Sequence, residues 1–187
     1  MAYLARAERR RSIVEAAATV VARDGLSAVT ARTVADELGG SPGQIHHHFT
    51  STDELAAEAW RRYAAREIDA YEFAVVDLEP LEALTEFFRD LLGDTDGHAM
   101  ARWAEAAAHA QLRTPVADSY IESLARLTDV LASVLVRRAD GVAGAREAAG
   151  RLLMLAVGLA GVARITDHPP VSVSAVMLSA LHAECPT

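Results

Sequence analysis

Apolar residues recur every three to four positions along most of this chain, the period of helices with one buried face. Over residues 8–24, Ile13, Ala17, Val20 and Val21 share a face, and Gly25 is placed to cap the end. Thr30 suits the N-cap of a helix over 31–38 with Val34, Ala35 and Leu38 inward. Gly39-Gly40 break it and permit positive φ in a very short turn. Ser41-Pro42-Gly43-Gln44 then reads as an S-x-x-Q capping box with proline at the first helical position. Ile45 and Phe49, four apart, anchor this short helix, which leaves Pro42, Gly43, Gln44, His46, His47 and His48 on its other faces. A second box, Ser51-Thr52-Asp53-Glu54, opens a long helix over 52–74 that keeps Leu55, Ala59, Tyr63, Ile68 and Tyr71 on one side.

The same period continues to the end. Pro80 starts a helix to Leu92, with Leu81, Leu84, Phe88 and Leu91 inward, and Gly93 stops it. After a polar loop at Asp94–Gly97 comes an alanine-rich helix over 98–112. Thr114-Pro115 starts the next, with Val116, Tyr120, Leu124, Leu127, Leu131 and Val134 on one face as far as Arg138. A loop at Asp140–Gly144, a helix over 145–166 and a last helix over 172–184 complete the pattern. No useful length of strand-like alternation occurs, so the chain reads as all-α. Its expected division is a three-helix helix-turn-helix head at 1–52 and a helical bundle at 53–187.

Charge changes this picture only in its distribution. The formal charge is -8, but residues 1–50 carry six arginines against five acids and residues 51–187 twelve against 21. The acidic excess therefore belongs to the body, and a basic run at Arg6, Arg9, Arg10 and Arg11 stands at the start of the head. A flexible basic arm or a solvated helix end both fit that run. One cysteine, Cys185, permits no internal disulfide. The start of the chain lacks a signal-peptide core, and the apolar run Leu152–Ala163 is too short to span a bilayer. The expectation is a cytoplasmic protein with no membrane partner and no cofactor.

The stretch from Thr30 to Leu55 carries the most chemistry. A short exposed helix held by two anchors is what a major groove admits. The N-caps Thr30 and Ser41 are placed for phosphate, and Gly43 allows close backbone approach. Gln44 suits adenine, although the capping box competes for its side chain. His46 and His48 suit phosphates, and His47 a base edge or a phosphate. Three surface histidines without a role fit the same pattern. They do not suit one metal ion, because successive helical residues point about 100° apart.

Gly25-Leu26, Thr30-Ala31-Arg32-Thr33-Val34-Ala35, the run Gly39 to Phe49, Ser51-Thr52 and Leu55 together resemble the DNA-binding head of the TetR family of bacterial transcriptional regulators. The resemblance covers about residues 10–60. Residues from Trp103 to Arg113 and on to Arg138 are weakly similar to the C-terminal domain of that family's choline-responsive repressors. It implies a homodimer that binds double-stranded operator DNA and leaves it when a small-molecule effector shifts the long connecting helix. It maps the family's phosphate and base contacts onto Thr30, Arg32, Ser41, Pro42, Gly43, Gln44, His46, His47 and His48. The sequence departs from the family at His46, usually tyrosine, at Thr52, usually lysine, and at Gly40, usually valine. These imply weaker electrostatic affinity or an altered register.

An effector pocket is expected where the long helix meets those after Pro80, lined by Trp60, Tyr63, Phe87, Phe88, Met100, Trp103, Tyr120 and Met154. Bulky side chains at helical spacing are also what an ordinary core contains. Arg102, Glu105 and His109 either supply polar contacts or lie on the surface. The helix over 145–166, with Gly158 and Gly161, and the last helix suit a dimer interface across residues 145–184, or an internal packing face. The rival functions are an all-helical small-molecule-binding protein or enzyme, and an adaptor whose head binds protein. Against an enzyme, no Ser-His-Asp order, H-E-x-x-H or glycine-rich phosphate loop occurs.

Overall fold

A computed structural model of the protein describes residues 6–93, 99–137 and 144–185. Among them the regular elements are all helical: α1 (Arg6–Asp24), α2 (Ala31–Leu38), α3 (Pro42–His46), α4 (Thr52–Ala74), α5 (Pro80–Phe87), α6 (Arg89–Leu92), α7 (Ala99–Ala110), α8 (Thr114–Val136), α9 (Ala145–Ala163) and α10 (Val173–Glu184). A 3-10 turn at Leu26–Ala28 joins α1 to α2. The expected all-α class holds. The polar loop at Asp94–Gly97 and all but the last residue of Asp140–Gly144 lie outside the described residues.

One expected helix is divided. The segment from Pro80 to Leu92 breaks at Phe88, whose ψ of 10° leaves the helical well between α5 and α6. Phe88 is completely buried, and its ring meets Phe87 edge-on at 4.8 Å. Burial of that ring outweighs the continuous ladder of backbone bonds that periodicity alone predicts.

The chain forms two compact units, and α4, α7 and α8 each contribute to both. The first takes the residues up to Glu67 together with Glu105–Ser123, so the unit containing the head extends beyond residue 52. Its core combines Ile13, Ala17, Val20 and Val21 of α1, Val34 and Ala35 of α2, Ile45, Phe49, and Leu55, Ala59 and Trp60 of α4. Trp60 is fully buried, with Tyr63 at 5.6 Å and Tyr120 at 6.0 Å between ring centroids. Burial raises the Tyr120 phenol to about 12.

The second unit holds Ile68–Ala104 and the residues from Leu124 onward. Here Tyr71 donates to the Ala83 carbonyl at 3.0 Å and meets Phe87 edge-on at 4.9 Å, which ties the last turns of α4 to α5. Arg137 donates to the Val75 carbonyl at 2.8 Å, satisfying an acceptor past the end of α4. Helix α10 packs on α9, α6 and α5 through Met177 and Leu181, both fully buried. Its other side and that of α9 remain apolar and open: Met154, Val171 and Leu178 are between 41% and 58% exposed. A groove of about 490 Å³ runs there, lined by Leu155, Val171, Ala175, Val176 and their neighbours.

Arg10 binds the head together. Its guanidinium lies 4.3 Å from the centre of the Phe49 ring and donates to Glu54 at 2.9 Å. Glu54 also accepts from the N–H and hydroxyl of Thr50, each at 2.8 Å. These bonds, led by the Thr50 N–H, hold its carboxyl below the ordinary carboxylate range.

Two outcomes follow from this packing. Trp60→Ala should lower the unfolding free energy by about 3–5 kcal/mol, read by chemical denaturation, because it removes a completely buried ring. Glu54 binds protons more weakly folded than unfolded, so its contribution is present above the ordinary carboxylate range and is lost as pH falls through the folded value. Thermal unfolding of Glu54→Gln should therefore differ most from wild type near neutral pH and converge with it under acid; an equal gap at every pH contradicts this role.

Candidate nucleic-acid interface

The second and third helices owe their placement to their caps. Thr30 is extended and accepts from the Thr33 N–H at 3.1 Å, while Thr33 Oγ1 accepts from the Thr30 N–H at 3.0 Å. A capping box therefore forms with threonine where glutamate or glutamine is usual. Thr33 Oγ1 also donates to the Ala28 carbonyl at 2.6 Å, which fixes α2 to the 3-10 turn before it. At the other end Gly39 is left-handed at φ 67°, and its neighbour needs no positive φ. A single left-handed glycine, rather than two, thus makes the turn.

The box expected at Ser41-x-x-Gln44 does not form. Ser41 is the N-cap by backbone position and makes no side-chain cap bond. Its carbonyl already accepts the Gln44 N–H at 3.0 Å, so the donor that its hydroxyl would have captured is taken. Gln44 instead folds its amide back beside Gly40, where a Cβ would lie 2.8 Å from the Gln44 Oε1. With no side chain at Gly40, that space is open to the amide. The box at Ser51 forms with a shift: Ser51 Oγ accepts from the Glu54 N–H at 3.0 Å, but Glu54 reaches back to Thr50 rather than to Ser51.

The anchors of α3 lie as its spacing predicts, with Ile45 2% and Phe49 4% exposed. Thr30, Arg32, Ser41, Pro42, Gly43, Gln44, His46 and His47 are all exposed. His48 is half-buried, and its Nδ1 is buried without a hydrogen-bond partner. Loss of solvation, followed by the positive charge of Arg6 and of His47, Arg10 and Arg9, holds His48 below the usual histidine value, toward the neutral form. Arg9, Arg10 and Arg11 lie within α1 rather than before it, and Arg10 is turned to Phe49 and Glu54. Through Arg10 the arm-like run therefore contributes ion pairs to Glu54 and Glu58 in the head. Among the described residues no three histidine, cysteine, aspartate or glutamate side chains come together to hold a metal ion.

The residues expected to line an effector pocket fall in both units. Trp60, Tyr63 and Tyr120 pack together in the first. Phe87, Phe88, Met100 and Trp103 belong to the second, all but the half-buried Phe87 in its core. Met154 is 58% exposed on the open side of α9. Sequence spacing alone did not single out one buried group. Ser119 is fully buried, and its Oγ makes no hydrogen bond. Glu105, read as a surface or ligand-contact residue, is instead 7% exposed and bonded to Ser27. Its place on the inner face of an alanine-rich helix was the available signal. No helix among the described residues is long and apolar enough to cross a membrane.

Residues 13–59 match the family model described as bacterial regulatory proteins, tetR family. The chain is 36% identical over 84 residues to the transcriptional repressor KstR2 of Mycolicibacterium smegmatis, a match covering 44% of this chain and 40% of that protein. It is 30% identical over 84 residues to the nicotine-responsive repressor HdnoR of Paenarthrobacter nicotinovorans, covering 45% and 43%. The chain thus matches less than half the length of these two relatives. Both are named as repressors of transcription, not as enzymes. Over nearly the whole fold, it is similar to a transcriptional regulator of Saccharomonospora viridis solved with choline: 27% identity, TM-score 0.65, 93% of this chain and 94% of that one. The stretch that matches the tetR family model coincides with the helices whose caps and anchors expose α3, and over 93% of its length the chain has a fold similar to that regulator's.

Proposed function

We propose that this protein is a ligand-responsive, DNA-binding transcriptional regulator, a repressor that a small molecule releases from its operator. One observation carries the reading. Helix α3 is pinned from below by Ile45 and Phe49, and Ser41 and Gln44 on its exposed side are engaged in no cap. The capping box that would have occupied Gln44 is absent, so its amide is available for an adenine edge. Arg32 and Thr30 at the start of α2, with His46 at the end of α3 and His47 and His48 just beyond it, take phosphates and fix the register; Pro42 and Gly43 let the backbone approach. The partner is double-stranded operator DNA, met in the cytoplasm.

The effector binds in the body. Trp60, Tyr63, Phe87, Phe88, Met100, Trp103 and Tyr120 are the aromatic and thioether side chains for it, in either unit. The acidic excess after residue 50 favours a cation. In line with this, one relative is nicotine-responsive and one similar structure holds choline. The protein acts as a homodimer through residues 145–184. The open apolar sides of α9 and α10 are the surface that a second copy covers, and Met154 belongs to that surface rather than to a pocket.

Selection of bound sequences from a random duplex pool tests the head. Wild type should enrich one paired site. Gln44→Ala should change which bases are enriched, whereas Arg32→Ala should weaken binding to all sequences about equally and lower the salt slope by about one. No enrichment by wild type, or the two variants exchanging effects, would sink the assignment. Sedimentation at micromolar concentration tests the dimer: wild type should run as a dimer and Leu178→Glu as a folded monomer, and a monomeric wild type rejects the interface.

A further inference from the structure

Among the described residues Glu105 is the buried charged side chain. It projects from α7 onto the corner between α1 and α2. Its Oε1 accepts the Ser27 N–H at 3.0 Å and the Ser27 hydroxyl at 2.7 Å. His109, one helical turn further on, brings Nε2 to 3.8 Å from the same oxygen. A carboxylate is held out of water only where such donors replace its solvation.

The corner is shaped to receive it. Gly25 has φ 94° and ψ 172°, a conformation that residues with a side chain rarely adopt. A Cβ at this position would lie 2.4 Å from Oε2 and 2.9 Å from Oε1 of Glu105. The glycine is therefore needed twice, for its backbone angle and for the approach of the carboxylate.

From Ser27 the contacts continue into the DNA-facing helix. Ser27 is the middle residue of the 3-10 turn, whose last carbonyl, at Ala28, accepts from Thr33 Oγ1 at 2.6 Å. Thr33 in turn shares the capping box with Thr30 at the head of α2, next to Arg32. Four consecutive links thus join a carboxylate on α7 to the phosphate-facing end of α2, all within one compact unit. The apolar faces of α1 and α2 also bury against each other.

We propose that Glu105 is a positioning residue for DNA recognition: it acts through Ser27 and Gly25 to set the N-terminus of α2 for the operator. This rests on the DNA-binding reading of the head. A shift of α7 is then felt at α2 through one hydrogen-bonded side chain.

The test uses the full-length protein and the duplex that wild type enriches from a random pool. Binding is measured at a temperature where every variant is fully folded by circular dichroism. Ser27→Ala removes an exposed hydroxyl without opening a cavity, and Glu105→Gln keeps the shape while removing the charge. Each should weaken binding to the enriched duplex about tenfold and leave binding to unrelated duplex unchanged. The double variant should be no weaker than the weaker single, because both remove one link. Wild-type affinity in folded Ser27→Ala and Glu105→Gln overturns the proposal. So does an equal loss on both duplexes, or a loss that follows the folded fraction. Should Glu105→Gln not fold, Ser27→Ala decides alone. If wild type enriches no duplex, the DNA-binding reading itself fails, and this inference with it.

Discussion

A five-residue helix has no stability of its own. The first turn of a helix fixes several dihedral angles for one hydrogen bond, and isolated helices several times this length are marginal in water. Helix α3 therefore exists because Ile45 and Phe49 are buried, and every other property of the head depends on that constraint. Two inward side chains leave most of the helix surface outward. Gly39 sets the angle of entry, and Arg10 closes over Phe49 while bonding Glu54 at the start of α4. A groove-reading element can be both exposed and rigid only when few anchors hold it this firmly.

The surroundings of α3 follow the same economy of contacts. Threonine caps α2 at both partners of its box, and a third threonine, Thr50, donates to the Glu54 carboxylate in the first turn of α4. These polar links lie near the face proposed for DNA, and each satisfies backbone donors that would otherwise need water. The link at Glu105 differs because it is buried and joins segments 78 residues apart. Local caps define where helices begin. A buried carboxylate between distant segments defines how one helix is held against another.

In the body, the open apolar side of α9 and α10 contrasts with their other side, where Met177 and Leu181 are fully buried. A helix apolar on two sides within a single chain has one side to spare, the usual condition of a surface that another chain covers. Small residues at Gly158 and Gly161 fit close helix approach on that side.

Most of the fold was legible from the chain itself. Period 3.6, proline at first helical positions and threonine or serine at N-caps placed the helices within a few residues, because those signals act through local sterics and hydrogen bonds. The order and spacing from Gly25 to Leu55 also carried the resemblance that the comparisons bear out. The sequence could not decide between competing local partners. Ser41 and Gln44 have the letters of a capping box, yet a backbone carbonyl captured the donor, and the amide lies beside Gly40 instead. Thr33 lacks the letters and made the box. The break at Phe88 and the burial of Glu105 were decided by side chains far away along the chain, through ring packing and hydrogen bonding to Ser27. Local chemistry names the candidates; tertiary packing chooses among them, since only the folded chain sets which donors and which space remain.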